Sequence, residues 1–317
     1  MIFSSKAAQR MQRVVAGLVS AAALALAASC GGATTQYDPF VPQRLFAFGD
    51  ESSALTGTGR RYGVNGLDAL GNFDCTLQPI WVQQVAAYYG FSFAECNPTG
   101  QEPKARMLAS EGTRVADLTA QIEAVVAAGG FRGTDFALVL VGTNDILELY
   151  RQYPGRPESS LQQEAGERGK ALGRIVNRLI ELQAKVIVST VPDAGLTPYA
   201  RAENAANPGS DRAGMLTRLT RAFNGQLGVN ILLDGRYVGL MQTDLGLQQI
   251  ATSPGSYGFS NITSGICTVV LPLCTTATLV EGGQPTQYLW SDDTRLAPGG
   301  QNRLASLALD RARRNPF

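Results

Sequence analysis

The stretch Phe136-Ala137-Leu138-Val139-Leu140-Val141-Gly142-Thr143-Asn144-Asp145 decides how the rest of the chain is read. Its first six residues are all apolar, too short a run for a buried helix and without the alternation of a strand that has one wet face. The run fits a strand covered on both sides, as the inner strands of parallel sheets are. Gly142 ends it, and three polar residues follow at once. In an open parallel sheet, ligands and chemistry collect just beyond the carboxyl ends of the strands, so residues 142–145 are a candidate site segment.

Working outward, the same pattern recurs. Arg44-Leu45-Phe46-Ala47-Phe48 runs into the turn signal Gly49-Asp50, Lys185 to Thr190 forms a second continuous buried-type run, and a third lies near residues 236–241. Between them fall helical patterns. One opens at Pro79, passes through Val82, Val85 and Ala86 and stops at Gly90; another carries Val115, Leu118, Ile122, Val125 and Val126 on one stripe and ends at Gly129-Gly130. Longer ones span Ser160 to Ala184, residues 209–230 and Pro298 to Arg314, while the glycine-rich, polar residues 56–76 read as a long loop. Strands alternating with helices imply an α/β fold, a three-layer α/β/α sandwich with a central parallel sheet, in a single domain over residues 44–317.

The 317 residues are 44% hydrophobic and 17% charged, enough apolar matter for a real core. Histidine is absent, which removes imidazole as a base, a metal ligand or a pH sensor. Lys6, Arg10 and Arg13 precede an apolar run from Val14 to Ala28, shorter than a comfortable membrane span, so residues 1–30 read as a signal peptide. Leu26-Ala27-Ala28-Ser29-Cys30 resembles a bacterial lipobox, with leucine one place further from the cysteine than usual. That resemblance implies lipidation at Cys30, a tether over residues 31–43 and a membrane partner through the lipid anchor. The expected location is the outer membrane, facing the periplasm or the exterior; ordinary cleavage would leave the chain periplasmic or secreted. Removing three basic residues from 27 leaves 24 against 26 acidic ones, a balance of −2 with no field for nucleic acid.

The remaining cysteines, Cys75, Cys96, Cys267 and Cys274, are an even set in a chain expected to leave the cytoplasm. Proximity favours pairing Cys75 with Cys96 and Cys267 with Cys274, although three connectivities are possible. Their spacing matches no zinc pattern, and no cofactor is expected.

Phe48-Gly49-Asp50-Glu51-Ser52 after the first strand, Gly112, Gly142-Thr143-Asn144-Asp145, and Asp292-Asp293-Thr294-Arg295 before the last helix together resemble the four sequence blocks of the SGNH (GDSL-type) ester hydrolases. Val191 to Pro198 and Trp290 add to the likeness, which spans residues 44–310. The resemblance implies a flavodoxin-like fold and esterase ancestry. It places Glu51 at the nucleophilic serine, Arg295 at the histidine base, Asp292 at the aspartate that orients the base, and Gly112 and Asn144 at the oxyanion-hole donors. A hydroxyl needs an adjacent base to become a nucleophile, and guanidinium cannot serve as one. The expected state is therefore a degenerate esterase whose cleft serves binding or structure, with Glu51, Arg295 and Asp292 ion-paired and the Glu51 carboxylate set against the Gly112 and Asn144 donors.

The implied ligands are acyl esters, lipids or glycans, and a carboxylate in the cleft favours cationic or hydroxyl-rich ones. The alternatives are an active esterase with Ser52 as a displaced nucleophile served by Asp292 or Asp293, and an envelope scaffold for a protein partner. The plainer readings make Ser52 a helix cap, Asn144 a turn residue capping the helix after it, Gly112 a backbone requirement, and Asp50 and Asp145 loop holders.

Overall fold

The chain is described by a computed structural model covering residues 40–317; the expected signal peptide, Cys30 and residues 31–39 of the expected tether lie outside the described residues. Five strands, β1 (Arg44–Gly49), β2 (Ala105–Met107), β3 (Asp135–Leu140), β4 (Lys185–Ser189) and β5 (Val238–Met241), form one parallel sheet in the order β2-β1-β3-β4-β5. The apolar run that decided the fold is the middle strand, buried at every position, with Leu138 registered between Ala47 and Ile187.

Because side chains alternate along a strand, the sheet feeds two cores. Phe46, Phe48, Ala137, Val139, Val186 and Val188 face one layer, built by helices α2 (Leu118–Ala127), α4 (Glu158–Glu181) and α6 (Arg212–Asn230). Leu45, Ala47, Phe136, Leu138, Leu140 and Ile187 face the other, where α1 (Trp81–Tyr88), α7 (Thr243–Thr252) and α8 (Pro298–Arg314) pack. Each fully buried leucine or valine contributes ~1.5–3 kcal/mol relative to exposure, so the stripe Leu161, Leu172, Val176 and Leu179 is what fixes α4 to the sheet. α4 and α6 approach so closely that a Cβ on Gly169 would lie 2.0 Å from the Phe223 carbonyl oxygen. The arrangement is the α/β/α sandwich expected from the sequence.

The outer layers also hold α3 (Thr143–Tyr150), α5 (Pro198–Ala206) and short 3-10 turns at Val115–Asp117, which leads into α2, Ala194–Leu196 and Pro254–Tyr257. A second, two-stranded parallel sheet pairs β6 (Asn261–Gly265) with β7 (Tyr288–Trp290) and carries the segment before α8. Cys75 is bonded to Cys96 and Cys267 to Cys274. Among the described residues, no helix is long and apolar enough to cross a membrane.

The loop after β1 is organised by two buried polar residues. The Arg61 guanidinium, 1% exposed, donates to the carbonyls of Leu77, Gln78 and Cys75, and Asn65 donates to the carbonyls of Pro272 and Cys274. Residues 56–78 are thereby pinned to the second disulfide loop, and both flank the carboxyl end of the sheet.

Candidate functional site

Gly49 ends β1 with φ of +121°, and a Cβ there would stand 1.8 Å from the Leu140 carbonyl oxygen. Only glycine lets the chain turn this tightly against β3. The Asp50 amide then donates to Leu140 O at 3.1 Å, and Asp50 Oδ1 accepts from the Ser52 amide at 2.9 Å. This turn aims Glu51 across the end of the sheet.

The Glu51 side chain is nearly buried, and its Oε2 accepts from the Gly112 amide and from Asn144 Nδ2, both at 3.0 Å. Its Oε1 lies 3.4 Å from Arg295 Nη2. Gly112 reaches this position with φ of +73°, and Asn144 is anchored by a second bond from Nδ2 to Thr113 O at 3.1 Å. The structure thus brings together Glu51, Gly112, Asn144, Arg295 and Asp292 from four separate segments. Asn144 departs from the capping reading: it lies inside the first turn of α3, whose N-cap is Gly142, and its amide faces the carboxylate instead.

Arg295 sits at the centre of the charges. Its Nη1 is 2.8 Å from Asp292 Oδ2, while Asp292 Oδ1 accepts from the amides of Thr294 and Arg295 at 2.9 and 2.7 Å. Burial alone would weaken the hold of Arg295 on its proton, but Asp292, Glu51 and Glu111 outweigh it, and the guanidinium is held more firmly charged than usual. Glu111 Oε1 is 3.9 Å from Arg295 Nη2. Tyr62 has its hydroxyl pushed up by burial and by the nearby Glu111 and Glu51 carboxylates. Tyr62 and Glu111 were not found in the sequence, since both lie in loops without periodicity and neither belongs to a motif block.

Ser52 falls elsewhere. Its hydroxyl faces the Asp50 carboxyl, its carbonyl accepts from Gln301 Nε2 at 3.3 Å, and it borders a cavity of about 10 Å³ enclosed by Thr143, Pro192, Trp290 and Leu296. No helix starts there, so the capping reading of Ser52 is also set aside. Asp292 is committed to Arg295 and two amides, and the Asp293 side chain is exposed beside Arg295 and the second disulfide loop. A cavity of about 370 Å³ opens on this side, walled by Val269, Val270 and Leu271 and floored by Asp292, Asp293 and Arg295.

Two further acids hold the frame. Asp145 Oδ2 accepts from the Val115 amide at 3.0 Å, and its Oδ1 lies 3.3 Å from Arg168. Asp50 is fully buried, and its Oδ2 has no hydrogen-bond partner among the described residues. Burial, then the neighbouring Glu51 charge, drive its pKa well above the ordinary range and favour the neutral acid, which has no charge with which to take the Ser52 proton.

That shift has a consequence for stability. A carboxyl whose folded pKa is raised binds more protons folded than unfolded, so its contribution falls as pH rises from the unfolded value through the folded one. Asp50→Asn keeps the acceptor for the Ser52 amide and removes the ionisable group. It is expected to raise the unfolding temperature at neutral pH by an amount worth about 1 kcal/mol or more, with the difference shrinking towards pH 4; thermal melts of both proteins across that range provide the check.

No protein-family model matches the chain, and no curated protein matches it. Among solved structures, an acetyl xylan esterase is similar with a TM-score of 0.45 and 14% identity, covering 84% of this chain and 98% of that one. An acetylxylan esterase from Geobacillus stearothermophilus gives 0.45 and 16% over 86% of this chain and 96% of its own. A member of the lipolytic G-D-S-L family from Veillonella parvula gives 0.43 and 15% over 84% and 96%. At such identities and TM-scores the likeness is one of fold.

Proposed function

We propose that the chain is an exported, lipid-anchored protein on an SGNH/GDSL hydrolase-like scaffold, disabled as an esterase, whose cleft binds a ligand. The observation that carries this is the placement of the Glu51 carboxylate. An ester hydrolase needs donors aimed at the oxygen that becomes charged in the transition state. Here Gly112 N and Asn144 Nδ2, the donors that the family resemblance assigns to that task, are both taken by Glu51. The group beside them is a guanidinium, which stays protonated and cannot act as a base.

The ligand is read from the same charges. Glu51, Glu111 and Asp292 surround one arginine, and Asp293 adds a further carboxylate at the rim, so the cleft carries more negative than positive charge. A cationic or hydroxyl-rich ligand is favoured over an anionic one. The apolar wall of Val269, Val270 and Leu271 would cover its uncharged part.

The test is hydrolysis of a nitrophenyl acetate by the purified protein beside Ser52→Ala. Both are expected to match the uncatalysed rate. Turnover above background that disappears with Ser52→Ala would overturn the proposal in favour of a rearranged esterase.

A further inference from the structure

All five strands of the main sheet run the same way, so the segments that precede them meet at the end of the molecule opposite the Glu51–Arg295 cleft. Val41 precedes β1, Arg132 precedes β3, and Leu232 and Leu233 precede β5. α8 ends there too: Asn315 Nδ2 donates to Gly235 O at 3.2 Å and Val238 O at 2.6 Å, which brings Arg313 and Arg314 to the same end. The three aliphatic side chains are exposed, at 72% for Val41, 55% for Leu232 and 59% for Leu233. Arg132, Arg313 and Arg314 are exposed at the same end, with Lys104 before β2 and Lys185 opening β4; of the acids there, Asp234 and Asp310 are paired with Arg236 and Arg314, while Glu102 and Glu181 are exposed. Cations therefore outnumber carboxylates at this end, where the bare aliphatics also lie, while Glu51, Glu111, Asp292 and Asp293 gather at the cleft.

The chain also enters the fold at this end. The Phe40 ring lies 5.6 Å from both Phe136 and Phe317. Nine residues separate Cys30 from Phe40, a span of about 36 Å at most when fully extended. We propose that this end docks on an anionic lipid surface, Val41, Leu232 and Leu233 entering the headgroup layer and the arginines pairing with lipid phosphates. The cleft then faces away from the membrane. The inference rests on the lipid-anchored reading, and adds an orientation to it. Isolated aliphatics alone would not choose a partner; the surrounding cations and the short connection to the anchor residue choose an anionic bilayer.

The test uses the full lipid-modified chain on phosphatidylcholine vesicles with and without phosphatidylglycerol, each containing a nitroxide headgroup quencher. A fluorophore is placed either at Gly133→Cys, where an added Cβ meets nothing within 4 Å, or at Ala202→Cys on α5 at the cleft end. On anionic vesicles the label at 133 is expected to be quenched at least about twofold and the label at 202 not at all, with the difference lost on neutral vesicles or at high salt. Leu232→Asp with Leu233→Asp should abolish the difference while the protein still sediments with vesicles. Equal quenching of the two labels on sedimenting protein would overturn the docking and leave the anchor intact. Protein that remains in the supernatant of both vesicle types would overturn the anchored reading and the docking with it.

Discussion

Under the proposed function, Glu51→Ser combined with Arg295→His should give a chain that hydrolyses nitrophenyl acetate about 10³-fold or more above the wild type, because loss of triad members typically removes several powers of ten. Shortening Glu51 releases Gly112 N and Asn144 Nδ2, whose positions are set by backbone conformation and by Thr113 rather than by Glu51 alone. A hydroxyl at 51 would then lie beside the two donors. A histidine at 295 would inherit the Asp292 carboxylate, which the amides of 294 and 295 already hold in place. Neither single change suffices: Glu51→Ser alone leaves no base, and Arg295→His alone leaves the donors filled. The signature is strong synergy between two changes that each do nothing measurable. A double variant that melts like the wild type and remains silent would show that the donors cannot serve an oxyanion, and the ancestry argument for the cleft would fall.

Arg61→Met should lower stability by about 3–5 kcal/mol, because leaving a buried acceptor without its donor costs about 1–3 kcal/mol for each of three carbonyls, and the melting temperature by roughly 10 °C. The side chain is 1% exposed, and burial depresses its pKa to about 10. It is retained because three carbonyls, those of Cys75, Leu77 and Gln78, have it as a donor. Methionine fills similar volume but leaves those oxygens without that partner. Gln78 holds a positive φ of 55°, a conformation a non-glycine residue adopts only when its surroundings enforce it, and Arg61 is part of that enforcement. The loop freed by the substitution carries Tyr62, so the hydroxyl should lose its contact with Glu111. Tyrosine titration followed in the ultraviolet would then show a lower-pKa hydroxyl than in the wild type, alongside the shift in the melt.

The elements legible in the sequence were those whose burial leaves a period or an unbroken run. β3 and β4 are continuous apolar runs because both faces are covered, and α8 was bounded by Pro298 at its start and the arginines of its last turn. β2 is three residues long with one buried, too short for any pattern, and is held by pairing with β1. α3 was hidden because its first turn is itself the Gly-Thr-Asn-Asp motif and reads as a polar turn. α5 and α7 are nine and ten residues with few buried positions, so no stripe marks them.

Within the cleft, motif order located Glu51, Gly112, Asn144, Asp292 and Arg295, because these sit at strand ends where the topology gathers them. Tyr62, Glu111 and Arg61 could not be found the same way. Their roles come from a loop folded by side-chain bonds to carbonyls distant in sequence, and such bonds leave no periodic trace. The disulfide loop at 267–274 likewise read as a surface staple, while in the structure it walls the 370 Å³ cavity.

On the proposed esterase ancestry, the pairing of Glu51 with Arg295 also bears on how the protein could change over generations. Restoring serine first would strip Arg295 of one of its carboxylates; restoring histidine first would leave a nearly buried carboxylate facing a neutral ring. Each lone step breaks a partnership without returning any catalysis, so a lineage reaching this arrangement meets a fitness valley in every direction that leads back. The ion pair would then act as a ratchet, leaving selection free to refine what the cleft holds but not to recover the hydrolysis proposed for its ancestry.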